Sequence, residues 1–381
     1  MKNWFYIVII FSLFSCETDF PINAEYQEVP VVYGLLDQSE AIQYVRVNKG
    51  FLHEGDIEQA VAEQDNLYYD LDSIEVWIYK TKETSLNPND LTTLPIIIHL
   101  DIVYELRDSI KLDPVVIERD SILSDPNLIF ANGNNIVYTF NTNSFNIQEG
   151  NLDSEKTYIL SVRKKTATSY NVVATAKTEL VADAKFMSPL NEDLPQGRDI
   201  AFFNNGEYVP KSFKWEYSKN AVRYQFKIFF DYQEIINGIT IDKTISKIYN
   251  IPSSDIENLT PPADVDFSLQ ANEFFYFLAS NILYNNEDDE NDVTARIFGN
   301  IDWEIAAAEK ELDIFLDLND ISTGINQNKP SYTNIIGGVG VFGSRYNRLY
   351  SNYSTNYPQG IPLSPQTKSQ IKIEHPELKF N

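Results

Sequence analysis

Short segments in which apolar and polar residues alternate with period two recur along this chain, and clusters of turn-forming residues separate them. Val31-Val32-Tyr33-Gly34-Leu35-Leu36 is an apolar run closed by the turn-like Asp37-Gln38-Ser39-Glu40, and Gln43 to Val47 then alternates. The pattern returns at residues 73–79, 135–140, 157–162 and 171–176. A strand of this kind carries one apolar face that must be laid on a second sheet. With no long helical period between the strands, the chain is confined to a mainly β fold of antiparallel sandwiches. Tyr and Phe, 23 of each, supply side chains that suit a pleated, half-buried surface.

A chain of 381 residues has room for more than one core. Two sandwich domains are expected, residues 29–182 and 183–381. In the second, Ser212-Phe213-Lys214-Trp215-Glu216-Tyr217 precedes an alternating run at 224–230. A tryptophan strand with a tyrosine-bearing partner resembles the fibronectin type III pattern within the immunoglobulin-like class. Residues 266–282 predict a helix, with Ser268 as its cap and Leu269, Phe274, Phe277 and Leu278 at helical spacing, widened by Phe275 and Ile282. That stripe reads as a face packed on the second sandwich. Residues 295–298 and 311–318 return to strand alternation. In the first half, residues 59–71 suggest a short helix. Residues 81–132, carrying Pro88, Pro95, Pro114 and Pro126, read as a surface excursion or lid.

The N-terminus constrains location. Lys2 and the apolar run from Trp4 to Phe14 have the form of a signal peptide, residues 1–15, too short to span a bilayer, which takes about 20 apolar residues. Leu13, Phe14 and Ser15 precede Cys16, the chain's only cysteine, and the four resemble a bacterial lipobox. That resemblance implies cleavage before Cys16, lipidation of its thiol and an acidic tether over residues 16–28. Several acyl chains anchor stably, since each buried CH₂ contributes about 0.8 kcal/mol. The mature body would then hold no thiol for a disulfide, a nucleophile or a metal.

A formal net charge of −25 repels nucleic acid and anionic head groups, so no nucleic-acid partner is expected. His53, His99 and His375 are scattered without the paired spacing of zinc sites or triads. The acidic run containing Asp288, Asp289, Glu290 and Asp292 offers oxygen ligands of the kind calcium takes, yet it lacks the glycine and distant glutamate of an EF-hand and reads first as a solvated loop. With 55 acidic residues, no glycosidase pair can be singled out. No cofactor and no catalytic residue are expected.

Gly338-Val339-Gly340-Val341-Phe342-Gly343 fits the spelling of a dinucleotide loop, but the segment after it is rich in Tyr, Asn and Ser, and no acidic residue follows until Glu374. Gly337, Gly338, Gly340 and Gly343 point instead to a bulged or tightly packed final segment. The run from Asn334 to Ser344, together with the lipobox and the Val31 to Leu35 opening, resembles an uncharacterised, DUF-type family of Bacteroidota envelope lipoproteins. Members are often encoded beside TonB-dependent outer-membrane receptors. The resemblance therefore implies a lipoprotein of the outer membrane, on either face, acting as a non-enzymatic accessory of such a receptor in nutrient uptake. The alternative is a surface carbohydrate- or peptide-binding, adhesive module using Trp77, Trp215 and Trp303 as platforms, set against their more ordinary reading as core; a hydrolase is the third reading.

Overall fold

The computed structural model describes residues 28–50, 67–84, 96–99, 102–117, 135–144, 152–189, 199–251, 256, 258–284, 292–320, 332–350 and 360–381. In chain order the strands are β1 Val29–Asp37, β2 Ile42–Gly50, β3 Ile74–Thr84, β4 Ile96–His99, β5 Ile102–Lys111, β6 Asp113–Ile117, β7 Asn135–Asn141, β8 Thr157–Lys165, β9 Tyr170–Glu179 and β10 Phe186–Ser188. They continue as β11 Phe203–Asn204, β12 Glu207–Tyr208, β13 Lys211–Glu216, β14 Arg223–Ile236, β15 Ile239–Ile251, β16 Asp264–Leu269, β17 Val293–Ala308, β18 Val339–Leu349 and β19 Ile361–Pro362. The α-helices are α1 Ala271–Tyr284, α2 Lys310–Asp320 and α3 Pro365–Glu374. The protein is mainly β, as its alternating segments require.

A nine-stranded sheet in the order β15-β14-β17-β18-β1-β2-β7-β6, with β19 beside β17, forms the spine. A five-stranded sheet, β4-β5-β3-β8-β9, covers one half of it, and a three-stranded sheet, β10-β13-β16, covers part of the other. The first core places Val32, Val45 and Phe140 of the spine against Val76, Ile78, Leu160 and Ala176 of the five-stranded sheet. The second sets Tyr224, Phe226, Phe230, Ile301 and Trp303 against Phe213, Trp215 and Leu269, with Phe274 and Leu278 of α1 closing it. Each such side chain contributes roughly 1.5–3 kcal/mol by leaving water. The indole of Trp303 stacks on Tyr350 at 3.9 Å and meets Phe186 at 6.0 Å.

Leu180 belongs to the first core and Val181 to the second. The two halves are nevertheless one hydrogen-bonded sheet, because β1 pairs in parallel with β18, from Val31↔Val339 to Asp37↔Arg345. Gly340 makes this contact possible: it sits at φ +116°, and a Cβ there would lie 1.9 Å from the carbonyl oxygen of Val32. The glycine-rich run is therefore the approach to a strand and the strand itself, with Phe342 in the first core.

Three expectations change. The helix of 266–282 begins later, because Asp264–Leu269 is β16, in which buried Val265 and Leu269 alternate with exposed Asp266 and Ser268. Ser268 faces Ser212 of β13 and caps nothing; the first helical bond runs from the Phe274 amide to the Gln270 carbonyl. Residues 311–318, expected as a strand, are helix α2. The Glu309 carboxylate caps that helix, and Asp313 and Asp317, one turn apart, both receive the Arg223 guanidinium, a pairing no strand could make. Within 81–132, the described residues build sheet: β5 lies between β4 and β3, and β6 forms an edge of the spine. Residues 59–66 of the expected first helix lie outside the described residues.

Candidate functional site

Where the two halves meet, a concavity of about 390 Å³ opens between Lys177, Thr178 and Glu179 of β9, Asn220 and Val222 before β14, and Glu309, Lys310 and Glu311 at the head of α2. Glu309 is 5 % exposed. Its Oε2 accepts from the Glu311 amide at 2.7 Å and its Oε1 from the Leu312 amide at 3.2 Å, so the carboxylate satisfies two orphan donors of the helix. Gly343 of β18 leaves room for it, since a Cβ there would meet Oε1 at 2.7 Å. Around it, the Tyr332 hydroxyl donates to the Glu311 carboxylate, Lys177 Nζ donates to the Tyr104 hydroxyl at 3.0 Å, and Asn220 Nδ2 donates to the Leu180 carbonyl at 2.8 Å.

Burial pushes the Glu309 carboxyl up to about 7, opposed by backbone hydrogen bonds from Glu311, Leu312 and Ser344 and reinforced by the neighbouring Glu311 charge. Burial, with Asp231 nearby, likewise pushes Asp302 on β17 up to about 6. An acid whose folded value is raised keeps its proton after the unfolded chain has released one. Both groups therefore add nothing below their unfolded values near 4 to 4.5, and they lower stability as pH rises through about 6 to 7. The Glu309 part amounts to about 3 kcal/mol at full ionisation. The urea midpoint is expected to fall between pH 5 and pH 8, and Glu309→Gln should flatten most of that slope. A wild-type midpoint that is level or rises across this range would mean that Glu309 is ionised in the fold without penalty.

The residues singled out in sequence fall in separate places. Leu13, Phe14, Ser15, Cys16, His53, Asp288, Asp289 and Glu290 lie outside the described residues, and Asp292 is an exposed residue just before β17. Among the described residues, no three His, Cys, Asp or Glu side chains converge as metal ligands. His99 is in β4, and His375 ends α3 with its Nδ1 2.9 Å from Glu377. Trp215 and Trp303, considered as platforms, are fully buried in the second core and present no surface. Trp77 is half-buried, with the Arg163 guanidinium 5.1 Å above its ring and its Nε1 donating to Glu75 at 3.0 Å. Gly337 and Gly338 form the approach to β18.

Two of the most exposed rings, Tyr208 and Tyr276, stand at the end of the second half where α1, α3 and the β11–β12 hairpin meet. Asn205 and Gly206, both at positive φ, make the hairpin turn and carry Tyr208 into solvent. Two concavities lie here, one lined by that ring and one by its contacts Phe203 and Gln370. One, of about 440 Å³, is bounded by Phe203, Asn205, Gln366, Gln370 and Ile373; the other, of about 380 Å³, by Tyr208 with Asn272, Phe275, Tyr276, Glu374 and His375. Buried Thr367 fixes α3 to the hairpin, its hydroxyl oxygen accepting from the Phe202 and Phe203 amides at 3.0 and 3.1 Å. Sequence reasoning, drawn to tryptophan, passed over these tyrosines. The signal that could have found them was Tyr276, a ring on the polar side of a helix whose apolar stripe was otherwise complete.

Among the described residues, no helix is long and apolar enough to cross a membrane. The chain matches no protein-family model, and no curated protein matches it.

Proposed function

We propose that this chain is a lipid-anchored envelope protein that works by binding rather than catalysis, as an accessory of a TonB-dependent outer-membrane receptor. The observation that supports it is an apolar patch on the outward face of the spine sheet. Tyr33 of β1 and Tyr44 of β2 are 44 % and 50 % exposed, and Ile42 and Val339 flank them on the same face, with the exposed Arg46 across from Tyr33, opposite the buried Val32 and Val45. Phe315 of α2 meets Tyr33 edge to face at 6.2 Å and borders the patch. Exposed apolar residues gathered on adjacent strands mark an interaction surface more than scattered ones do. A tether from Cys16 to Glu28 reaches roughly 40 Å at most when extended. It would hold β1, and this face with it, close to the membrane that houses a receptor.

The test is crosslinking of the full-length protein in its own membranes, detergent extraction, pull-down and mass spectrometry. A TonB-dependent receptor is expected in stoichiometric yield, reduced roughly tenfold by Tyr44→Glu at an unchanged melting temperature. Cys16→Ala should abolish partitioning with membranes. Recovery of the chain alone would overturn the receptor reading, and unchanged partitioning of Cys16→Ala would remove the anchor.

A further inference from the structure

We propose that the two concavities along α3, one lined by Tyr208 and the other by its neighbours Phe203 and Gln370, form one binding site for a neutral oligosaccharide. The site is independent of the receptor patch, being built from the opposite half of the chain.

Three observations support this occupant. First, ring faces are presented to solvent. Tyr208 is 52 % and Tyr276 70 % exposed, yet Tyr208 is held rigidly, by T-shaped contacts with Phe203 at 5.2 Å and Phe275 at 5.9 Å and by Gln370 Nε2 donating to its hydroxyl at 3.2 Å. An exposed aromatic fixed in place before binding offers contact area at small entropic cost. The C–H faces of a pyranose are flat and apolar and match such rings.

Second, amides are the commonest polar group of the lining. Asn205, Gln366, Gln370 and Asn272 each carry both donors and an acceptor, with Gln370 Nε2 donating to Tyr208 and Glu374, and Gln366 Oε1 accepting from the Asn205 amide, within the site. Sugar hydroxyls also donate and accept at one position, so amides meet them in either sense.

Third, the lining carries little charge. On a chain of net charge −25, Glu374 is the carboxylate at the site, and among the described residues no Lys or Arg lines either concavity. An anionic ligand would find no Lys or Arg there, and the His375 imidazole of the lining is already paired with Glu377. A peptide binding by strand addition needs a free row of backbone donors and acceptors. Two of the walls are helices α1 and α3, whose backbone groups are largely spent within the helices, and the third is the short β11–β12 hairpin, whose Phe203 and Asn205 amides already donate to Thr367 and Gln366. A peptide helix needs a continuous apolar groove, which the amides interrupt. Each concavity falls within the usual range for small-molecule sites, about 300–1,000 Å³. Tyr208 lines one concavity and contacts Phe203 and Gln370 of the other, so a ligand of at least two sugar rings would fill both.

The experiment uses the full-length protein in detergent, applied to an array of neutral α- and β-glucans, mannans, xylans and galactans printed beside acidic glycans and a peptide set. Retention on a neutral glycan is expected. Titration of the best probe should show affinity lowered roughly tenfold by Tyr276→Ala and by Tyr208→Ala. Tyr208→Phe, which keeps the ring, should stay close to wild type, and Trp77→Ala and Tyr44→Glu should have no effect. If Tyr208→Ala lowers the melting temperature, Tyr276→Ala decides, because that side chain stands largely in solvent. The proposal is overturned by binding to acidic glycans alone, by no glycan binding, by Tyr208-dependent capture of peptides, or by neutral-glycan binding that both alanine variants leave unchanged.

Discussion

Gly340→Ala is expected to abolish the folded protein. The added methyl carbon would sit 1.9 Å from the Val32 carbonyl oxygen and 2.8 Å from its carbon, and both are backbone atoms that no rotamer change can move away. The φ of +116° is a second obstacle for a side chain. Relief would need β18 to withdraw from β1, dissolving the parallel ladder from Val31↔Val339 to Asp37↔Arg345 and parting the spine between its halves. A cost above about 4 kcal/mol belongs to the rare class of severe lesions and would exhaust much of a typical stability of about 5–15 kcal/mol. Gly238→Ala is the matched control: its φ is +78°, but among the described residues nothing lies within 4 Å of where the new methyl would sit, so only the backbone preference is lost, about 1 kcal/mol. Soluble yield and circular dichroism melting of the two variants side by side measure the difference. A Gly340→Ala protein melting within a few degrees of wild type would mean that the two strands do not approach this closely in solution.

The second large effect is expected at Arg296. Arg296 and Glu234 are both fully buried, with Nε 2.8 Å from Oε1, and Arg296 Nη1 also donates to the Leu378 carbonyl at 3.0 Å. The backbone of Arg296 holds the C-terminus as well, donating to the Lys379 carbonyl and accepting from the Asn381 amide. Arg296→Met leaves Glu234 as a buried charge with Lys243 Nζ 3.9 Å away, and should lower stability by about 3–5 kcal/mol. It should also loosen the C-terminal segment, although Phe380 still stacks on Phe298 at 4.1 Å. Adding Glu234→Leu removes the buried carboxylate and is expected to restore most of the loss. Urea midpoints of the single and double variants, with amide exchange at residues 378–381, would check this; equal loss in both would show that shape at this position matters and charge does not.

How far the sequence disclosed this structure depends on how local each feature is. An apolar run located β1, and alternation located β2, β3, β7, β8, β9, β13, β14 and β17, because each strand writes its own buried face into its own residues. It failed at α2, where Leu312, Ile314, Leu316 and Leu318 alternate in sequence while the Glu309 cap and the Arg223 pairing hold a helix. Glutamate is not among the preferred capping residues, so nothing in the spelling announced it. The start of α1 was misplaced for the converse reason: Leu269 fits the helical stripe and the strand alternation equally well. The glycine run was legible as a demand for close approach, but its partner, Val32, lies near the other end of the chain. The candidate clefts were the least legible part. Tyr208 and Tyr276 come together only through the docking of α3, which Thr367 arranges from some 160 residues beyond the backbone it binds.

The parallel junction also sets an order of events in time. The hairpins β1–β2 and β14–β15 form between neighbours, so each can appear as soon as its own residues are available. The spine cannot close until β18 is present, roughly 300 residues after the strand it must join, and this span of chain has to be ordered before the ladder returns any free energy. Closure is thus a late and slow step, and until then β1 presents an open edge able to pair with other chains. A version of the protein truncated before Val339 should therefore aggregate rather than persist as a soluble first half, and any cell producing the protein must shield that waiting edge until the last strand arrives.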